Sequence, residues 1–170
     1  MNRISLSDIH LCRGSADHFK FDAELSRFLQ SSLRHLGPTE IILNGDILDL
    51  IAVEDEGEMD EIIKEISVAH AAVFDAFRAA ARRSHLVFVP GNHDHQIGDK
   101  NIAAVLEKLV PGIHIAANGV YQAEDRMAGN KVFYHFEHGD AHDPWSSLIS
   151  PQMGRAAKTN IIAKDLIHEF

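Results

Sequence analysis

Cysteine is almost missing from this sequence: Cys12 is the single example in 170 residues. That excludes an intramolecular disulfide framework and a cysteine-based zinc cluster. No apolar run approaches the ~18 residues that a membrane span needs. A basic segment followed by an apolar stretch is also missing at the start, where Met1 to Ile9 read as a short strand. No cleaved signal peptide is therefore expected, and a cytoplasmic location is the default. Basic residues are in deficit, 16 Lys and Arg against 25 Asp and Glu, for a net charge of −9. An acidic surface repels phosphate backbones and anionic lipid, so non-specific nucleic-acid binding is not expected.

What is present is ordinary in bulk, with 45% apolar and 24% charged residues. The length suits one domain over 1–170 with a core of its own. Histidine stands out, with 12 residues. Beside an acid excess, that number points to oxygen and nitrogen ligands for metal ions.

The pattern along the chain alternates strand and helix, which implies a single α/β unit. Ile4 to Ile9 reads as the first strand. Phe21, Leu25, Phe28, Leu29, Leu33 and Leu36 recur at helical spacing until Gly37-Pro38 stops them. Glu40 to Asn44 reads as a buried strand. A long helical stretch follows, with Met59, Ile62, Ile63, Ile66, Val73, Phe74 and Phe77 on one stripe. Acids from Glu54 to Glu61 precede it and Arg82-Arg83 closes it, the polarity a helix dipole favours. His85 to Val89 is the third strand and Asn101 to Leu109 a short helix. Val120 to Ala123 and Lys131 to His138 suit a hairpin around Gly129-Asn130, and the tail from Gln152 has a helical pattern.

The informative residues follow the strands. Ser7-Asp8-Ile9-His10 comes after the first, Gly45-Asp46-Ile47-Leu48-Asp49 after the second, and Gly91-Asn92-His93-Asp94 after the third. Ligands of open α/β sheets bind beyond the carboxyl ends of the strands. Three strands thus deliver carboxylate, imidazole and amide groups to one edge. Asp8 and His10, two apart, are expected on one side of an extended segment. Such donors suit manganese, iron or zinc. A carboxylate bridging two divalent ions ~3.5–4 Å apart would form a clamp for a phosphoryl group. Asp46, between the other two loops, is the natural bridge.

Taken in order, these motifs resemble the calcineurin-like metallophosphoesterase family, whose pattern runs DxH, GDxxD, GNHD or GNHE, a later lone His and a final GHxH. The likeness covers roughly Ile4 to Trp145. It implies a β-sandwich flanked by helices and a centre of two divalent metal ions (Mn, Fe or Zn). It also implies hydrolysis of phosphomonoesters or phosphodiesters by a metal-bound hydroxide. By that resemblance Asp8 and His10 hold one ion, Asn92 and His138 the other, and Asp46 bridges them. His93 is then the general acid or phosphoryl stabiliser, Asp94 the carboxylate that orients it, and Asp49 a hydrogen-bonding brace. His135, three residues before His138, points to the other strand face and is read as structural. The run from His138 to Trp145 is similar to a form seen in members acting on nucleotide-linked lipid sugars. Asp140, His142 and His95 are further candidates for contact with metal or substrate.

One element departs from the family. No GHxH occurs in the sequence, and the 32 residues after His138 read as helical. The expectation is an amino-terminal part of a longer protein, weakly active alone and open to self-association. The alternative is a degenerate site on a non-catalytic interaction scaffold of the same fold. His18, His35, His70, His85 and His114 lack ligand spacing and are read as surface or packing residues.

Overall fold

A computed structural model describes residues 1–52, 57–127 and 129–139. Its main sheet has four parallel strands in the order β1 (Asn2–Leu6), β2 (Thr39–Asn44), β3 (His85–Val89) and β4 (His114–Ile115). Helices α1 (Asp22–His35), α2 (Met59–Ala69), α3 (Ala71–Arg83) and α4 (Lys100–Leu109) fill the crossovers. Strands β5 (Val120–Met127) and β6 (Asn130–Glu137) form an antiparallel hairpin turned at Gly129. Parallel crossovers are right-handed, so strands laid down in unbroken order send every connecting helix to the same face.

Side chains alternate across the sheet accordingly. Ile41, Leu43, Leu86 and Phe88 join a core with Leu29, Ile62, Ile63, Ile66, Val73, Phe74, Phe77 and Leu106 from the helices. Ile42, Val87 and Val89 point the other way, where Tyr121 and Phe136 of the hairpin pack against them. The result is the expected mixed α/β unit; of the helix-flanked β-sandwich that the resemblance implied, the described residues show a layer of helices, a four-stranded parallel sheet and a two-stranded covering hairpin.

Several local expectations need correction. The first strand ends at Leu6, so the segment carrying Asp8 and His10 is not extended: both residues are left-handed, at φ 56° and 54°. The long helical stretch is two helices, broken at His70, whose φ of −109° and ψ of 41° leave the helical region. On α1 the buried stripe is narrower than the spacing suggested, because Phe21, Phe28 and Leu36 are exposed while Leu25, Leu29 and Leu33 face the core. The short strand β4 gave no signal of its own. Glu54, Asp55 and Glu56 and the tail with Asp140 and His142 lie outside the described residues. No helix among the described residues is long and apolar enough to cross a membrane.

Candidate metal centre

Beyond the carboxyl ends of β1 and β2 the two chain segments continue side by side. Asp8 N–H donates to the Gly45 carbonyl, His10 N–H to Asp46 and Leu11 N–H to Ile47, while Asp49 N–H returns to Leu11. Asp46 is left-handed as well, at φ 56°. Among the described residues Asp8, His10 and Asp46 are the non-glycine residues with positive φ. Each such residue costs on the order of 1–3 kcal/mol and persists where its surroundings over-determine it, characteristically at functional sites. Two glycines make room. A Cβ on Gly45 would overlap the His138 ring, and one on Gly91 would strike the Asp46 carboxylate and sit 2.7 Å from its backbone nitrogen.

The side chains converge. Ligand atoms of Asp8, His10 and Asp46 all lie within 4.8 Å of one another. Asp46 also reaches the third and fourth segments: its Oδ1 accepts the His93 backbone N–H at 2.9 Å and its Oδ2 lies 3.2 Å from His138 Nε2. His138 Nδ1–H donates to the Asn44 carbonyl at 3.1 Å. That bond turns Nε2 to the crevice, where it donates to Asp46 when protonated and would offer its lone pair to a cation once deprotonated. Asn92 is buried between Gly91 and His93, whose N–H groups bond to Asp94 and Asp46. A second cluster comprises His10, Asp49 and His93. Asp49 spans the two rings, 3.0 Å from His93 Nδ1 and 3.5 Å from His10 Nδ1, and the rings meet edge to face at 4.6 Å.

This geometry corrects one assignment. Asp94 does not orient His93. Its fully buried carboxylate accepts backbone N–H bonds from Gly91 at 2.7 Å, Ile47 at 2.8 Å and Leu48 at 3.1 Å, with Asp46 N at 3.4 Å. It staples the Asp46 turn to the loop after β3. The carboxylate beside His93 is Asp49. Of the other histidines, His95 caps the Asn92 carbonyl, and His135 is exposed on the hairpin beside Glu137.

Charge at the site follows from these contacts. Burial pushes the Asp49 carboxyl up, but the His10 and His93 bonds outweigh it and hold it well below the usual carboxylate range. Asp46 is likewise lowered, its burial offset by His138 and the His93 N–H. The Asp49 bond raises His10 above its ordinary value, against burial and with help from Asp46 and Asp8. Asp94 is pushed up to about 6 by burial, despite its N–H donors. A site with this many carboxylates, answered largely by imidazoles, is electrostatically prepared for cations.

Compared with known families, residues 1–163 match the model of the calcineurin-like phosphoesterases. The chain belongs to that family. Metal-dependent phosphoester hydrolysis is the family's general chemistry and divalent ions are its general cofactors, and the two clusters above supply candidate ligands. Among curated proteins no match was found.

Proposed function

We propose that this chain hydrolyses phosphate monoesters or diesters with two divalent cations held beyond the ends of β1, β2, β3 and β6. Asp8 and His10 would hold one ion, Asn92 and His138 the other, and Asp46 would serve both. The observation that carries this reading is the position of Asp46, which shares one cluster with Asp8 and His10 while its other contacts are His93 N–H and His138 Nε2. The donor set contains imidazole, carboxylate and amide oxygen without thiolate, which suits manganese, iron or zinc. Bound ions would supply positive charge for the phosphoryl oxygens and a readily ionised water.

The chain's own residues do the rest. His93 presents its Nδ1 to Asp49, so its Nε2 is the nitrogen available to protonate a leaving alkoxide or to hold a phosphoryl oxygen. Asp49 keeps both His10 and His93 in register. Asp94 holds the backbone of the Asp46 turn. The test is hydrolysis of an aryl phosphate monoester and a bis-aryl diester by the purified chain, with and without added Mn²⁺. Metal-dependent hydrolysis of either, lost in Asp46→Asn, supports the reading. Two bound ions without turnover would replace it by a binding scaffold of the same fold.

A further inference from the structure

The loop bearing His10 is held from two sides. The ladder to residues 45–49 grips it on the sheet side. On the helical side stands His70, the residue at which α2 gives way to α3. Nothing in the local sequence explains a break there, since neither glycine nor proline is near. The side chain supplies the reason. His70 is 2% exposed. Its Nδ1 lies 2.7 Å from the Asp22 carboxylate at the start of α1, and its Nε2 is hydrogen-bonded at 3.0 Å to the Cys12 carbonyl, which accepts. Asp17 Oδ1 stands 3.4 Å from the same Nε2, and the Phe19 ring closes the pocket edge-on.

Cys12 is two residues from His10 and is itself joined to the second loop, its Sγ lying 3.5 Å from the Asp49 carbonyl. Leu11, between them, makes the two ladder bonds to Ile47 and Asp49. The Arg13–Glu65 ion pair also ties this loop to the helical layer, but Glu65 is 57% exposed and such pairs hold geometry weakly. The buried bond from His70 is the stronger anchor, because a carbonyl at this depth loses its acceptor role if the donor goes.

We infer that His70 is a positioning residue for the metal-facing loop: its Nε2–H pins residue 12, and through it the left-handed backbone that aims His10. This rests on the reading of His10 as a metal ligand. The two ring nitrogens have separate tasks, which makes the idea testable. His70→Gln places an amide donor where Nε2 was, and His70→Asn places one where Nδ1 was. Mn²⁺ binding measured by titration calorimetry on the full chain should be near wild type in His70→Gln and weakened ~10-fold in His70→Asn, the scale of an outer partner of a metal ligand. A residue that only stabilised the fold would lower both variants alike. Equal losses, or no loss in His70→Asn, would overturn the inference.

Amide hydrogen exchange at Leu11 and Asp49 provides a readout independent of metal. It should accelerate in His70→Asn and not in His70→Gln; equal protection in the two would count against the inference even if the wild-type chain bound no ion. A wild-type chain that bound no metal would instead overturn the phosphoesterase reading. If His70→Asn does not fold, Asp22→Asn releases the ring from a side chain 31% exposed. It should speed the same two amides by a smaller factor, and unchanged exchange there would overturn the inference.

Discussion

The two ends of the parallel sheet both bury carboxylates, yet they treat them differently. At the amino end, Glu40 is 3% exposed and fully answered. Arg3 Nε donates to it at 2.7 Å, Tyr121 O–H at 2.6 Å and His85 Nδ1 at 2.8 Å. Arg3 continues to Asp125 at 3.0 Å and lies over the Tyr134 ring at 4.6 Å, so the hairpin is tied to the sheet. None of these residues has positive φ. At the carboxyl end, Asp8, Asp46, Asp49 and Asp94 gather around imidazoles and backbone N–H groups, and Asp8, His10 and Asp46 are left-handed. One cluster is complete as protein. The other, on the proposed function, would be completed by cations, and its left-handed residues are the difference that reading explains.

The sharpest way to break this comparison is to remove Asp46. Asp46→Asn should weaken binding of both ions by more than the ~10–100-fold typical of an outer partner, with hydrolysis lost; retention of either ion at wild-type affinity would contradict the shared position. Next, His93→Ala should lower turnover by ~10²–10⁴-fold, the usual contribution of general acid–base catalysis, while elemental analysis finds the metal content unchanged. Asp49→Asn follows, with metal affinity and turnover both reduced ~10–100-fold because two imidazoles lose their orienting partner.

Glu40→Gln is the matching change at the other end. Removing one partner of a buried pair should cost ~3 kcal/mol by denaturant unfolding, with metal affinity untouched. The pH responses should separate as well. Burial raises the Glu40 carboxyl, but its hydrogen bonds from Tyr121, His85 and Arg3 hold it below its ordinary value of 4.5. Its stabilisation is therefore complete above about that pH and is lost as pH falls through the lower folded value. The gap in stability between wild type and Glu40→Gln should shrink only in acid. Metal affinity should weaken earlier, as pH falls through the raised His10 value, because His10 is held above its ordinary 6.5 and must shed a proton to ligate.

Much of this was legible from residues alone. Strands β2 and β3 are apolar runs with a motif directly after each, and Ile62, Ile63, Ile66, Val73, Phe74 and Phe77 declare their buried stripe by spacing. What was not legible depends on tertiary contacts. Glycine is the strong signal of positive φ; Asp and His adopt it more often than most residues, but too seldom for Asp8, His10 and Asp46 to be read as left-handed from sequence. Asp94 adjoins His93 in sequence, but its backbone at φ −128° and ψ 25° turns the carboxylate to the Asp46 turn. Asp49, 44 positions away, reaches the ring instead. The break at His70 is set by Asp22 and Cys12, distant in sequence from it. Phe28 follows the helical spacing and still faces solvent, because periodicity marks a face without marking what covers it.

The central claim is that the carboxyl end of the sheet is a two-cation site organised on Asp46. Its most direct test is Mn²⁺ titration of the purified chain, metal-stripped beforehand, beside Asp46→Asn and Glu40→Gln. The account predicts two ions per chain in the wild type and in Glu40→Gln, and loss of both in Asp46→Asn. A wild type that takes up one ion or none, or an Asp46→Asn variant that keeps two, would contradict it.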